Sequence, residues 1–248
     1  MSSARAGTVV IGGGQAGLAA AYHLSRRNRS HVVLDAGNRV GDAWRRRWDS
    51  LRLFTPAGIS HLPGMAFPAP ASHLPTKDEM ADYLEAYADR FQLPVQLRSR
   101  VEAVTREDDQ YVVHASDRRM QATNVIVAVG AYPVPRVPSF ADQLDPRITQ
   151  LHSAAYHNPG RLPEGPVLVV GVGNSGAEIA VEIARHRPTL LSGRDIGYIR
   201  TGSGPIADIG HRLGSRAFAS LASLSTDTWL GRRLVEGVRQ RPGGHLSR

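Results

Sequence analysis

The chain carries one strongly constraining signal twice. A short β-branched run enters a Gly-x-Gly-x-x-Gly turn, and an apolar helix leaves it. Thr8-Val-Val-Ile11 leads into Gly12-Gly-Gly14-Gln15-Ala16-Gly17 and then Leu18-Ala-Ala-Ala-Tyr-His-Leu24. Val167-Leu-Val-Val170 leads into Gly171-Val-Gly173-Asn174-Ser175-Gly176 and the helical run from Ala177 to Ala184. Each turn needs its glycines for different reasons. The first makes the tight turn off the strand, the second lets a pyrophosphate approach the backbone, and the third lets the helix pack closely on the sheet. Backbone N–H groups and the helix dipole then face an anion. The pattern predicts an α/β chain with two Rossmann-like dinucleotide-binding units on parallel sheets.

The two units differ at the end of their second strand. In the first, the strand His31-Val-Val-Leu34 ends on Asp35, completing a βαβ unit in about 30 residues. Asp35 is placed to accept hydrogen bonds from a ribose. The alternative is a glycine-rich turn with no ligand. In the second, the strand Thr189–Ser192 runs into Gly193 and Arg194, with no acid. A carboxylate there would repel a 2′-phosphate, whereas Ser192 and Arg194 would bind it, so the second unit is expected to prefer NADPH to NADH. The competing view is that Arg194 is one surface arginine among many, in a chain whose only lysine is Lys77.

Between the units, residues 36–75 are rich in Gly, Pro and aromatic residues. A loop region that long inside a compact chain is usually functional. A helix comes next. Thr76 and Glu79 form a capping box, and Met80, Tyr83, Leu84, Tyr87, Ala88 and Phe91 fall on one face. Strand-like runs lie at 101–104, 111–114 and 125–129. The last is apolar and meets Gly130, which is expected to pass close to bound nucleotide while also ending a buried parallel strand. Residues 131–166 form a proline-rich connector holding His152, Ser153 and Tyr156, which taken alone read as an ordinary polar loop.

Several classes are excluded. The chain has no cysteine, which removes disulfide frameworks, thiolate metal sites and disulfide-relay chemistry. Ser175 is not a nucleophile on a Gly-x-Ser-x-Gly elbow, because position 177 is Ala. There is no Tyr-x-x-x-Lys pair and no phosphate-binding P-loop. The ten histidines show no metal-ligand spacing, so no metal is expected. No run approaches 18 apolar residues, and the glycine-rich start does not resemble a signal peptide, so no membrane association and a cytoplasmic location are expected. The net charge is +8, concentrated in residues 185–248, which hold 11 Arg against 4 acids. Such an excess fits nucleic acid or lipid, a phosphorylated cofactor, or absent acidic partners. No nucleic-acid partner is expected.

In order along the chain come the first glycine turn, Gly41-Asp-Ala-Trp44, Leu51-Arg-Leu-Phe-Thr-Pro56, Pro75-Thr-Lys77, Ala128-Val-Gly130, Leu151-His-Ser153 with Tyr156, and the second glycine turn. This set resembles the flavin-containing monooxygenase-like group of NAD(P)/FAD-dependent oxidoreductases, in its CzcO-like branch, over about residues 8–235. The resemblance implies FAD held by Gly12, Gly14, Gln15, Ala16, Gly17 and Asp35, with Trp44 near the flavin and Gly130 beside the nucleotide. It implies NADPH held by Gly171, Gly173, Asn174, Ser175, Gly176 and Arg194. The implied domains are an FAD-binding domain over residues 1–160 and an NADPH-binding domain over 161–248. The implied activity is monooxygenation of a small organic substrate with O2, through a C4a-(hydro)peroxyflavin formed after hydride transfer from NADPH. The alternatives are an NADPH-dependent flavin reductase or oxidase, and a non-catalytic remnant.

The chain departs from the family pattern in four places. Asp42 replaces a glycine in Gly-Gly-x-Trp. The aromatic and glycine that lead the family fingerprint are not clear before His152. No Asn occurs near Thr55-Pro56, where oxygenating members often carry one. Relatives also run well over 300 residues and return to finish the FAD sheet, whereas Leu230-Gly-Arg-Arg-Leu234 resembles a mid-chain segment. The expectation is a C-terminally truncated chain that needs an extension, a partner chain or a homo-oligomer. No residue presents itself as a general acid or base.

Overall fold

Alternation along the first strand decides where the core lies. In β1 (Ala4–Ile11), Val9 and Ile11 point to one face, where they pack with Val32, Leu34, Val113, Ala115, Met120 and Ala122. Val10 points to the other face, against the first helix, and is fully buried. Burying such a side chain contributes about 1.5–3 kcal/mol. The computed structural model describes residues 4–116, 118–130, 134–194, 198–200 and 245–247. Most of the basic C-terminal quarter and the Leu230–Leu234 segment lie outside the described residues.

The chain divides into two compact units, Met1–Tyr156 and His157–Arg248. In the first, β1 is followed by α1 (Gln15–Ser25), β2 (His31–Leu34), the short turns α2 (Asp42–Arg45) and α3 (Ala57–Ser60), and α4 (Lys77–Arg90). β3 (Val95–Gln96), β4 (Val101–Glu107), β5 (Gln110–Ala115) and β6 (Arg118–Val127) complete a six-stranded sheet ordered β3-β2-β1-β6-β5-β4. The four strands from β3 to β6 in that order are parallel, and β4, β5 and β6 form an antiparallel meander. The first sheet is thus parallel across its dinucleotide-binding strands, as expected, and the meander adds an antiparallel edge. Two residues separate β4 from β5, and two separate β5 from β6. Connections that short permit only antiparallel return.

The loop-rich segment 36–75 is tied down from α4. The Tyr83 hydroxyl accepts from the Leu62 N–H at 2.6 Å and donates to the Met65 carbonyl at 2.7 Å, and the Tyr87 hydroxyl donates to the Pro63 carbonyl at 2.7 Å. Burial pushes both phenols above their usual pKa. Five of the six apolar residues expected on one face of α4 are buried, and Phe91 caps the helix end, packing edge-on against Tyr22 and Tyr87.

In the second unit, β7 (Val167–Val170) and β8 (Thr189–Ser192) form a parallel pair connected by α5 (Asn174–Ala184). Ile179, Ala180 and Ile183 bury the inner face of α5. A second parallel pair joins β9 (Tyr198–Arg200) to β10 (His245–Ser247). On β7 and β8 the apolar residues Leu168, Val170, Leu190 and Leu191 remain exposed, Leu190 by 70%.

Candidate cofactor sites

The two glycine turns are built alike. Gly12 and Gly171 have φ of +105° and +107°, a region L side chains rarely adopt. A Cβ on Gly17 would lie 1.8 Å from the Gly12 carbonyl oxygen, and one on Gly176 would lie 2.0 Å from that of Gly171. The third glycine therefore sets the helix directly on the turn. Beside Gly14 and Gly173 nothing lies within 4 Å of where a Cβ would stand. That open space is where a pyrophosphate needs access to the backbone.

The helix starts carry the same message. α1 and α5 are N-capped by Gly14 and Gly173, which have no side chain to close the turn, and neither helix has an acid in its first turn. α4 is the contrast. Thr76 and Glu79 form a reciprocal capping box, with acids at 78 and 79. Gln15, Ala16, Asn174 and Ser175 thus occupy helix starts that no N-cap side chain closes, whereas α4 starts already satisfied.

Asp35 sits at the end of β2 with both oxygens engaged. Oδ2 accepts from the Gly13 N–H at 2.6 Å and Oδ1 from the Gly37 N–H at 2.7 Å. These bonds fix the carboxylate while leaving lone pairs for ribose hydroxyls. Gly13 and Gly37 were missed from sequence. Only Gly37 stands near the acid in sequence; a Cβ there would lie 2.8 Å from Oδ1, and one on Gly13 3.1 Å from Oδ2.

The Ala128 carbonyl closes on the Gly12 turn, 2.5 Å from where a Cβ would be, and Gly130, two residues on, has φ +77° and open space where a Cβ would stand. Trp44 is half-buried on α2, which is pinned to α4 because Arg45 donates to Asp82 at 2.8 Å and to Glu85 at 3.1 Å. Asp42 turns inward: Oδ2 accepts from the Asn38 and Arg39 N–H groups at 3.0 and 3.2 Å. The carboxylate that departs from the family pattern thus organises its own turn. Thr55 spends its hydroxyl on Ser60 at 2.8 Å, and His152 Nδ1 accepts from the Ala154 N–H at 3.1 Å.

In the second unit the Gly171 N–H donates to the Ser192 carbonyl at 2.7 Å, bringing the Ser192-Gly193-Arg194 corner beside the turn. Arg194 is exposed there. Among the described residues no helix is long and apolar enough to cross a membrane, and no three His, Asp or Glu side chains group as metal ligands.

Two turns of this construction, each between a parallel strand pair and a helix, define a protein of two dinucleotide-binding folds. The chain belongs to the pyridine nucleotide-disulphide oxidoreductase family, whose match covers residues 9–194 and so spans both turns. No cysteine occurs in its 248 residues, so no redox disulfide lies within them. It is 47% identical over 184 residues to an uncharacterised CzcO-like oxidoreductase of Geobacillus kaustophilus, covering 74% of this chain and 53% of that protein. It is 40% identical to the CzcO oxidoreductase of Bacillus subtilis, covering 75% and 54%. A mutant flavin monooxygenase from Stenotrophomonas maltophilia superposes with a TM-score of 0.76 at 30% identity, covering 98% of this chain and 70% of that one. The chain spans about half the length of the curated relatives it matches.

Proposed function

We propose that the chain is the cofactor-binding part of an NADPH- and FAD-dependent flavin monooxygenase acting on a small organic molecule with O2. The observation that carries this reading is the repetition of the open turn, once with a fixed acid at its side and once without. FAD is assigned to the first turn, through Gly12, Gly14, Gln15, Ala16, Gly17 and Asp35, with Trp44 and Gly130 beside it. NADPH is assigned to the second, through Gly171, Gly173, Asn174, Ser175, Gly176 and Arg194. The FAD-binding domain is taken as residues 1–160 and the NADPH-binding domain as 161–248. Flavin supplies the redox and oxygen chemistry when bound, and NADPH supplies the hydride.

The chain's own residues bind and orient. Backbone N–H groups at the starts of α1 and α5 take the pyrophosphates, and the Asp35 oxygens accept from ribose hydroxyls. The guanidinium of Arg194 pairs with a 2′-phosphate. A flavin reductase or oxidase without oxygen insertion is the second reading. It is favoured by Thr55, whose hydroxyl is committed to Ser60 where oxygenating relatives are expected to carry Asn.

The test is the visible absorbance of the purified chain after incubation with FAD, compared with Gly14→Val. The substitution puts a side chain into the open space where the pyrophosphate must approach. Flavin bound by the parent and lost in the variant is expected. Equal flavin content in both would overturn the assignment. Peroxide release driven by NADPH, with and without candidate substrates, then separates oxygenase from oxidase.

A further inference from the structure

The two turns differ at one matched pair of positions. Backbone register fixes the correspondence: the Gly12 N–H donates to the Leu34 carbonyl at 2.8 Å, as the Gly171 N–H donates to that of Ser192 at 2.7 Å. Gly13 therefore corresponds to Val172, and Asp35 to Gly193. The side chain has changed sides. In the first unit the turn residue is glycine and the strand-end residue carries a carboxylate, which lies 3.1–3.3 Å from where a Gly13 Cβ would stand. In the second unit the turn residue is valine and the strand-end residue is bare. A Cβ on Gly193 would lie 2.5 Å from Val172 Cγ2 and 3.0 Å from the Val172 nitrogen. The backbone of Gly193 does not itself demand glycine, since its φ lies outside the left-handed region. The Val172 side chain is the nearest obstacle to a side chain there, ahead of its own backbone nitrogen, and its β-branching limits how far it can turn aside.

We infer that Val172 and Gly193 form a reciprocal steric lock that keeps a carboxylate away from the ribose of the second nucleotide, and so sets its preference for a 2′-phosphorylated ribose. The inference deepens the NADPH assignment and rests on it. A ribose acid would favour a free 2′-hydroxyl and repel a 2′-phosphate. By filling the corner from the turn side, Val172 makes the acid sterically unavailable and leaves the next residue, Arg194, to meet the phosphate.

Four chains test this: the parent, Val172→Gly, Gly193→Asp and the double variant. Two measurements are made on each, the melting midpoint without nucleotide and the dissociation constants for NADPH and NADH. Gly193→Asp alone should melt several degrees lower, and adding Val172→Gly should recover most of that loss. The double variant should shift the NADH-to-NADPH affinity ratio toward NADH by about tenfold or more, whereas Gly193→Asp alone should bind neither well. Strictly additive melting shifts would overturn the lock. Coupled melting with an unchanged affinity ratio would overturn its role in cofactor choice while leaving the NADPH assignment standing. A parent chain that binds neither nucleotide would remove that assignment and the role in cofactor choice with it.

Discussion

At the scale of single residues, the two sites are separated by what neighbours each turn. Asp35 is held by two backbone amides and Arg194 stands exposed at a corner. Arg194→Ala should therefore weaken NADPH far more than NADH, because only NADPH carries the 2′-phosphate. A charge-assisted pair of this kind is worth on the order of 1.5–3 kcal/mol, or roughly ten- to a hundredfold in affinity. Titration of both nucleotides against both chains measures it, and an equal loss for the two would show that Arg194 does other work. The glycine spacing was legible in sequence because the first and third glycines are forced, one by its positive φ and the other by the carbonyl it sits on. The partners of Asp35 were not, since Gly13 meets it only once β2 lies beside β1, and Gly37 only through the turn that follows β2. The inward turn of Asp42 was hidden for the same reason: a carboxylate's direction depends on which amides the turn exposes.

At the scale of elements, α4 organises the loop region. It holds 62–65 through two tyrosines and α2 through Arg45, and Arg39 binds Glu85 through both nitrogens of its fork at 2.6 Å. Two of its carboxyls titrate low. The Thr76 N–H and then His73 hold Glu79 below the usual carboxylate range, and the Arg39 guanidinium does the same for Glu85. A depressed folded pKa contributes stability that is present above the unfolded value and lost as pH falls through the folded one. The stability these two carboxyls contribute should thus be full above about pH 5 and decline below about pH 4, where they protonate. Replacing both by Gln should flatten that acid limb, as read by urea midpoints across the range. A limb of unchanged steepness would place the acid sensitivity elsewhere. The capping box and apolar face of α4 were readable from spacing alone, because a helix that long carries its own periodicity. The meander β4–β6 was not, since short apolar runs carry no record of strand direction, which the two-residue connections impose.

At the scale of the molecule, apolar burial is uneven. Val9, Val10 and Val33 on the first sheet are wholly buried, whereas β7 and β8 leave Leu168, Val170, Leu190 and Leu191 exposed. Each 100 Å² of apolar surface left in water forgoes about 2.5 kcal/mol, against a typical domain stability of about 5–15 kcal/mol. Expressed alone, residues 1–248 should self-associate on gel filtration and hold FAD below one equivalent. A monodisperse monomer with stoichiometric flavin would contradict this without touching the family assignment. The two-unit plan was visible in the repeated motif. The extent of uncovered surface was not, because apolar strands look the same in sequence whether or not anything lies over them.

Because the third glycine of each turn sits on the carbonyl of the first, the molecule contains its own control. Alanine at Gly17 or at Gly176 would make one identical chemical change in two places, lifting one helix off one turn and leaving the other turn as built. Whatever the two nucleotides do together can then be dissected by the same lesion applied to either half.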